Sequence, residues 1–125
     1  MAVCDIKPGQ IAVTETTVTL DLTTNRVGKP GSEVLSTPSL LALMEQCCIE
    51  VSDSQLAPKH TTVGYAVDGM RHMAPTPIGQ VVTVKAELTE VIRNRLTYSI
   101  EAYEGDKQIG VAIHKRAIIP KDSDD

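Results

Sequence analysis

The chain has 125 residues, 42% hydrophobic and 22% charged, with a net charge of −4, a balance that suits one globular domain and excludes a disordered chain. Mild acidity without a clustered basic face argues against a general nucleic-acid binder, and three tyrosines with no Phe or Trp supply no base-stacking platform. No apolar run approaches the roughly 18 residues of a membrane span and MAVCDIKPGQ lacks the regions of a signal peptide, so a cytoplasmic protein without membrane contact is expected.

In chain order, Ile11 to Leu22 is rich in Val and Thr and ends in alternation, Val18, Leu20 and Leu22 against Thr17, Thr19 and Asp21, which predicts a strand. Asn25 to Glu33 is a turn-rich loop with two glycines and a proline. A helix follows, with Thr37 as its N-cap and Pro38 in the first position. Its apolar stripe is Leu40, Leu41, Leu43, Met44, Cys47, Cys48 and Val51, and it runs to about Ser54. From Val63 the period changes to two, in a strand that bends at Asp68-Gly69 and continues to Met73. Val82 to Leu88 alternates cleanly, Arg93-Asn94-Arg95 turns, Leu96 to Ala102 returns, Gly105-Asp106 turns again, and Ile109 to Ile119 forms the last strand.

Strand, helix and four strands with short connections favour an antiparallel sheet, since parallel strands need long crossovers. The one long apolar helix buries its stripe if the sheet wraps around it, which is the α+β hotdog arrangement. The reading is a single domain over 1–125, with about 121–125 as a disordered tail. Its free sheet edges predict a homodimer or a dimer of dimers. The odd count of three cysteines, with Cys47 and Cys48 adjacent in the helix, argues for reduced Cys4, Cys47 and Cys48. No Cys-x-x-Cys or His-x-x-x-His pair suggests a metal site.

Three residues invite a chemical reading, and each also has a plain structural one. Glu45 falls on the shoulder of the apolar stripe, as a snorkelling rim carboxylate or as a site carboxylate. Thr37 explains itself as a cap, yet a helix N-terminus also presents free amides and positive dipole to a developing anion. His72 precedes the rigid Pro-x-Pro corner of RHMAPTPIG, as a structural hydrogen-bonder or as a base. His60 reads as a loop residue and His114 as mid-strand, neither with an evident partner.

LSTPSLLALME (Leu35 to Glu45), RHMAPTPIG (Arg71 to Gly79) and HKRAII (His114 to Ile119) together resemble the fluoroacetyl-CoA thioesterase type of hotdog protein over roughly Ile11 to Pro120. The resemblance implies hydrolysis of an acyl-CoA thioester without a cofactor, CoA being part of the substrate. It implies a catalytic set of Thr37, Glu45 and His72, a thioester carbonyl bound at Gly64, and a substrate contact from Arg116. Gly64 to His72 is one residue longer than the usual spacing, so either a bulge at Gly69 absorbs the extra residue or Gly64 is not the carbonyl ligand. With no Phe or Trp the aromatic lid of the fluoroacetate-specific enzyme has no counterpart, so a different small acyl group is expected. Arg93, Arg95, Lys115 and Arg116 are the cations available to CoA phosphates. A non-catalytic acyl-CoA sensor and a hydratase or dehydratase on enoyl thioesters are the competing functions.

Overall fold

The computed structural model describes residues 6–24 and 33–121. Cys4, most of the 25–33 loop and the tail beyond Lys121 lie outside the described residues. The elements are β1 (Ile11–Thr17), a short 3-10 helix (Leu20–Leu22), α1 (Thr37–Leu56), β2 (His60–His72), β3 (Val81–Ile92), β4 (Arg95–Glu104) and β5 (Lys107–Pro120). All pairings are antiparallel, in the order β1-β3-β4-β5-β2.

The first strand is shorter than its alternation predicts. Val18 still exchanges hydrogen bonds with the chain before β3, accepting from Gly79 N and donating to Gln80 O at 2.8 Å each. The partner turns away at that point, so beyond it the backbone satisfies itself locally, with Leu22 N on Thr19 O and Thr23 N on Leu20 O.

The helix begins one residue away from its expected cap. Ser36, in extended conformation, accepts from Ser39 N through its side chain at 3.2 Å, and Thr37 is the first helical residue. Two hydroxyls precede Pro38, and the cap falls to the first of them. Leu40, Met44, Cys47, Cys48, Val51, Ser52 and Leu56 form the buried face of α1 at spacings of three and four. Against it lie Val82, Val84, Ala86 and Leu88 of β3 and Leu96, Tyr98, Ile100 and Ala102 of β4. Cys47 and Cys48 are buried and unpaired.

Tyr98, fully buried, donates to or accepts from Ser52 Oγ at 2.6 Å, and burial pushes its phenol up to about 12. The edge strand β2 carries two register breaks against β5, between Gly64 and Ala66 and between Asp68 and Arg71, the second around Gly69 (φ 59°). Among the described residues no helix is long and apolar enough to cross a membrane.

Candidate active site

The start of α1 and the end of β2 come together because several backbone bonds hold them there. Leu35 N donates to Thr76 O at 2.9 Å, Ser36 N to Leu22 O at 2.9 Å, and Met73 N to Ile109 O at 2.7 Å. Gly110, opposite His72 in the ladder, lets the helix settle onto the sheet. A Cβ there would meet Leu40 Cδ2 at 3.0 Å and Met44 Cε at 3.1 Å.

The result is a contact between Thr37 Oγ1 and His72 Nδ1 at 2.8 Å. With Ser36 capping the helix, the Thr37 hydroxyl is released for this bond. It stands exposed at the positive end of α1. His72 is half-buried, and burial lowers its pKa, favouring the neutral imidazole that accepts a proton. Its other nitrogen, Nε2, is buried without a hydrogen-bond partner among the described residues. Beside it opens a cavity of about 240 Å³ lined by Val34, Leu35, His72, Met73, Ala74 and Pro75, mostly apolar.

Glu45 does not join that pair. Eight residues further along α1, or about 12 Å of axial rise, it forms no hydrogen bond to Thr37 or His72 among the described residues. Burial pushes the Cys48 thiol up and the charge of the half-buried Glu45 adds to that, while at His114 burial holds the pKa down and the Glu45 charge opposes it.

Gly64 faces the same region, paired in register with Arg116. A Cβ on Gly64 would lie 2.8 Å from His114 Cε1 and 3.2 Å from Arg116 Nη1, so the backbone rests directly on those two side chains. Arg116 is buried and fully engaged: Nε donates to Thr62 Oγ1 at 2.7 Å, Nη2 to Thr62 O at 2.9 Å, and Nη1 contacts His114 Nε2 at 3.1 Å. The residues named from sequence thus fall into two groups, Thr37 with His72, and Gly64 with Arg116 and the charge of Glu45.

Of the other cations, Arg95 covers the Tyr65 ring at 4.7 Å, and Lys115 lies 3.9 Å from Asp68. Sequence reasoning left His114 without a partner, and the structure gives it two, Ala66 O at 2.9 Å and Arg116. His60 opens β2 instead of lying in a loop. The signal for His114 was there: Ala112, His114, Arg116 and Ile118 share the inward face of β5 at period two, and polar residues on such a face need partners.

Residues 18–122 match the model of the fluoroacetyl-CoA-specific thioesterase family. The curated fluoroacetyl-CoA thioesterase of Streptantibioticus cattleyicolor is 38% identical over 87 residues, which cover 70% of this chain and 62% of that protein. Among solved structures, a point variant of the fluoroacetyl-CoA-specific thioesterase FlK superposes with TM-score 0.80 at 31% identity, covering 91% of this chain and 88% of that one. A Thermus thermophilus thioesterase superfamily member reaches 0.82 at 30% identity, covering 93% and 85%. A hot-dog-like protein of Thermanaerovibrio acidaminovorans, at 23% identity and TM-score 0.82, shares the fold. One helix held against a five-stranded antiparallel sheet is the hotdog fold expected from the sequence, and the chain belongs to the fluoroacetyl-CoA-specific thioesterase family.

Proposed function

We propose that the chain hydrolyses the thioester of a small acyl group and coenzyme A to a free acid and CoA, with Thr37, His72 and Glu45 as its catalytic residues. The observation that carries this reading is the Thr37–His72 hydrogen bond at a helix N-terminus, beside an apolar cavity of about 240 Å³. In the reaction Thr37 Oγ1 attacks the thioester carbonyl while His72 Nδ1 takes its proton. The carbon–sulfur bond then breaks, and the departing sulfur receives that proton. An acyl ester on Thr37 remains, and water cleaves it to the acid. Glu45, half-buried on α1 and about 12 Å of axial rise from Thr37, serves as base for that water in a site completed by a second copy of the chain. Backbone amides at Gly64, eight strand residues from His72 on β2, receive the carbonyl oxygen in the same site shared between two copies, and Arg116 supports Gly64 from behind. No cofactor or metal is needed for these steps.

The missing Phe and Trp favour acetyl-sized groups without fluorine. The chain works as a cytoplasmic homodimer, or a dimer of dimers, joined along the free edge of β2, near which Val63, Tyr65 and Met73 are exposed.

Thiol release from acetyl-, propionyl-, butyryl- and fluoroacetyl-CoA tests the activity. The expected result is turnover of the short acyl groups, lowered in His72→Ala by about 10²–10⁴-fold. Unaltered activity in His72→Ala would sink the mechanism. Tight binding of intact acyl-CoA without turnover would make the chain a sensor, and water addition to an enoyl-CoA a hydratase.

A further inference from the structure

Behind Gly64 lies a largely buried polar chain of which the proposed chemistry uses only Arg116. Asp53 of α1 accepts from Thr61 Oγ1 and Thr62 Oγ1 at 2.7 Å each. Thr62 Oγ1 accepts from Arg116 Nε, Arg116 Nη1 lies 3.1 Å from His114 Nε2, and His114 Nδ1 lies 2.9 Å from Ala66 O. His114 is 1% exposed, and its ring lies 6.3 Å from that of Tyr98, centre to centre.

The direction of this chain is fixed by its members. A guanidinium only donates, so His114 Nε2 accepts; a carbonyl only accepts, so Nδ1 carries the hydrogen. Both requirements are met by one species, the neutral imidazole with its proton on Nδ1. Burial and the charge of Arg116 hold the ring in that neutral form against the pull of Glu45 and the Ala66 carbonyl.

The position of the ring matters more than its charge. Gly64 and Ala66 flank the first register break of β2, where ladder pairing to β5 skips Tyr65. His114 touches both sides of the break, with Cε1 against Gly64 and the Nδ1 hydrogen on the Ala66 carbonyl. A backbone segment at a break lacks the regular ladder that would otherwise fix its amides. The imidazole supplies the missing constraint.

We propose that His114 is a positioning residue that holds the Gly64–Ala66 break so that its amides meet the thioester carbonyl; this rests on the reading of the chain as an acyl-thioester site. His114→Asn keeps a donor near the position of Nδ1, whereas His114→Gln keeps an acceptor near that of Nε2 and loses the donor to Ala66. With acetyl-CoA, His114→Gln lowers kcat by about 10²-fold with KM within about threefold, and His114→Asn restores most of the loss. S-acetonyl-CoA retains the carbonyl but has no cleavable thioester bond; wild type binds it more tightly than CoA, and His114→Gln binds the two alike.

A folded His114→Gln variant with wild-type kcat and an unchanged preference for S-acetonyl-CoA overturns the proposal. Should neither variant fold, ring-nitrogen NMR of the wild type decides: the Nδ1–H tautomer supports the assignment, and the Nε2–H tautomer overturns it. A wild type that neither hydrolyses acetyl-CoA nor prefers S-acetonyl-CoA to CoA overturns the thioester reading itself, and with it the role of His114.

Discussion

The hydroxyl of Thr37 and the ring of His72 form the unit on which activity is expected to depend. Thr37→Val keeps the shape and removes the nucleophile and the bond to Nδ1. It is expected to lower kcat at least about 10²-fold, while Thr37→Ser retains activity, both read by thiol release. The acid limb of the pH profile belongs to the same unit, since His72 must be neutral to act. Burial lowers its pKa below the ordinary 6.5, so kcat/KM is expected to inflect below that value. Stability follows the same residues. His72 and His114 both have folded pKa values below 6.5, so the unfolded chain takes up protons that the folded chain refuses. Their contribution is fully present above 6.5 and declines as pH falls through 6.5 toward the folded values, a loss that urea titrations at pH 7.5 and 5.5 will show.

For the elements, the helix start carries the clearest division of labour. Ser36 caps and leaves the Thr37 hydroxyl to His72, so Ser36→Ala is expected to cost about 1 kcal/mol in thermal unfolding while the Thr37–His72 contact persists. Much at this scale was legible in the sequence. The helix, the four later strands and the bulge near Gly69 follow from period, glycine placement and short turns. Two errors have one origin, that a pattern describes a segment and omits its neighbours. Leu20 and Leu22 alternate like a strand but have no partner strand to pair with. Ser36 and Thr37 are equally good caps on paper, and tertiary anchoring of Leu35 and Ser36 decides between them. The Thr37–His72 meeting was suggested by motif resemblance alone, because it depends on distant backbone bonds and on Gly110. Arg116 looked like a phosphate ligand, and its inward register makes it a buried donor to Thr62 and His114.

For the whole molecule, the separation of Glu45 from the Thr37–His72 pair shapes the expectation. A second copy along β2 would complete a site whose groups one chain holds apart, the Thr37–His72 pair on one side and Glu45 with Gly64 on the other. Sedimentation equilibrium is expected to give at least twice the 13.5 kDa of the chain, and a monomer at micromolar concentration would refute it. The two register breaks of β2 bear on a different matter, the chain's fate in a crowded solution. Straight, flat edges recruit foreign strands and template cross-β growth, which needs continuous segments of roughly six residues. On β2 the longest unbroken run of pairing is His60 to Gly64, after which the backbone jogs at Tyr65 and again near Gly69. An arbitrary extended peptide therefore loses register almost at once, whereas a strand with the same jogs does not, and the irregularity that holds Gly64 also guards the edge against fibrous growth.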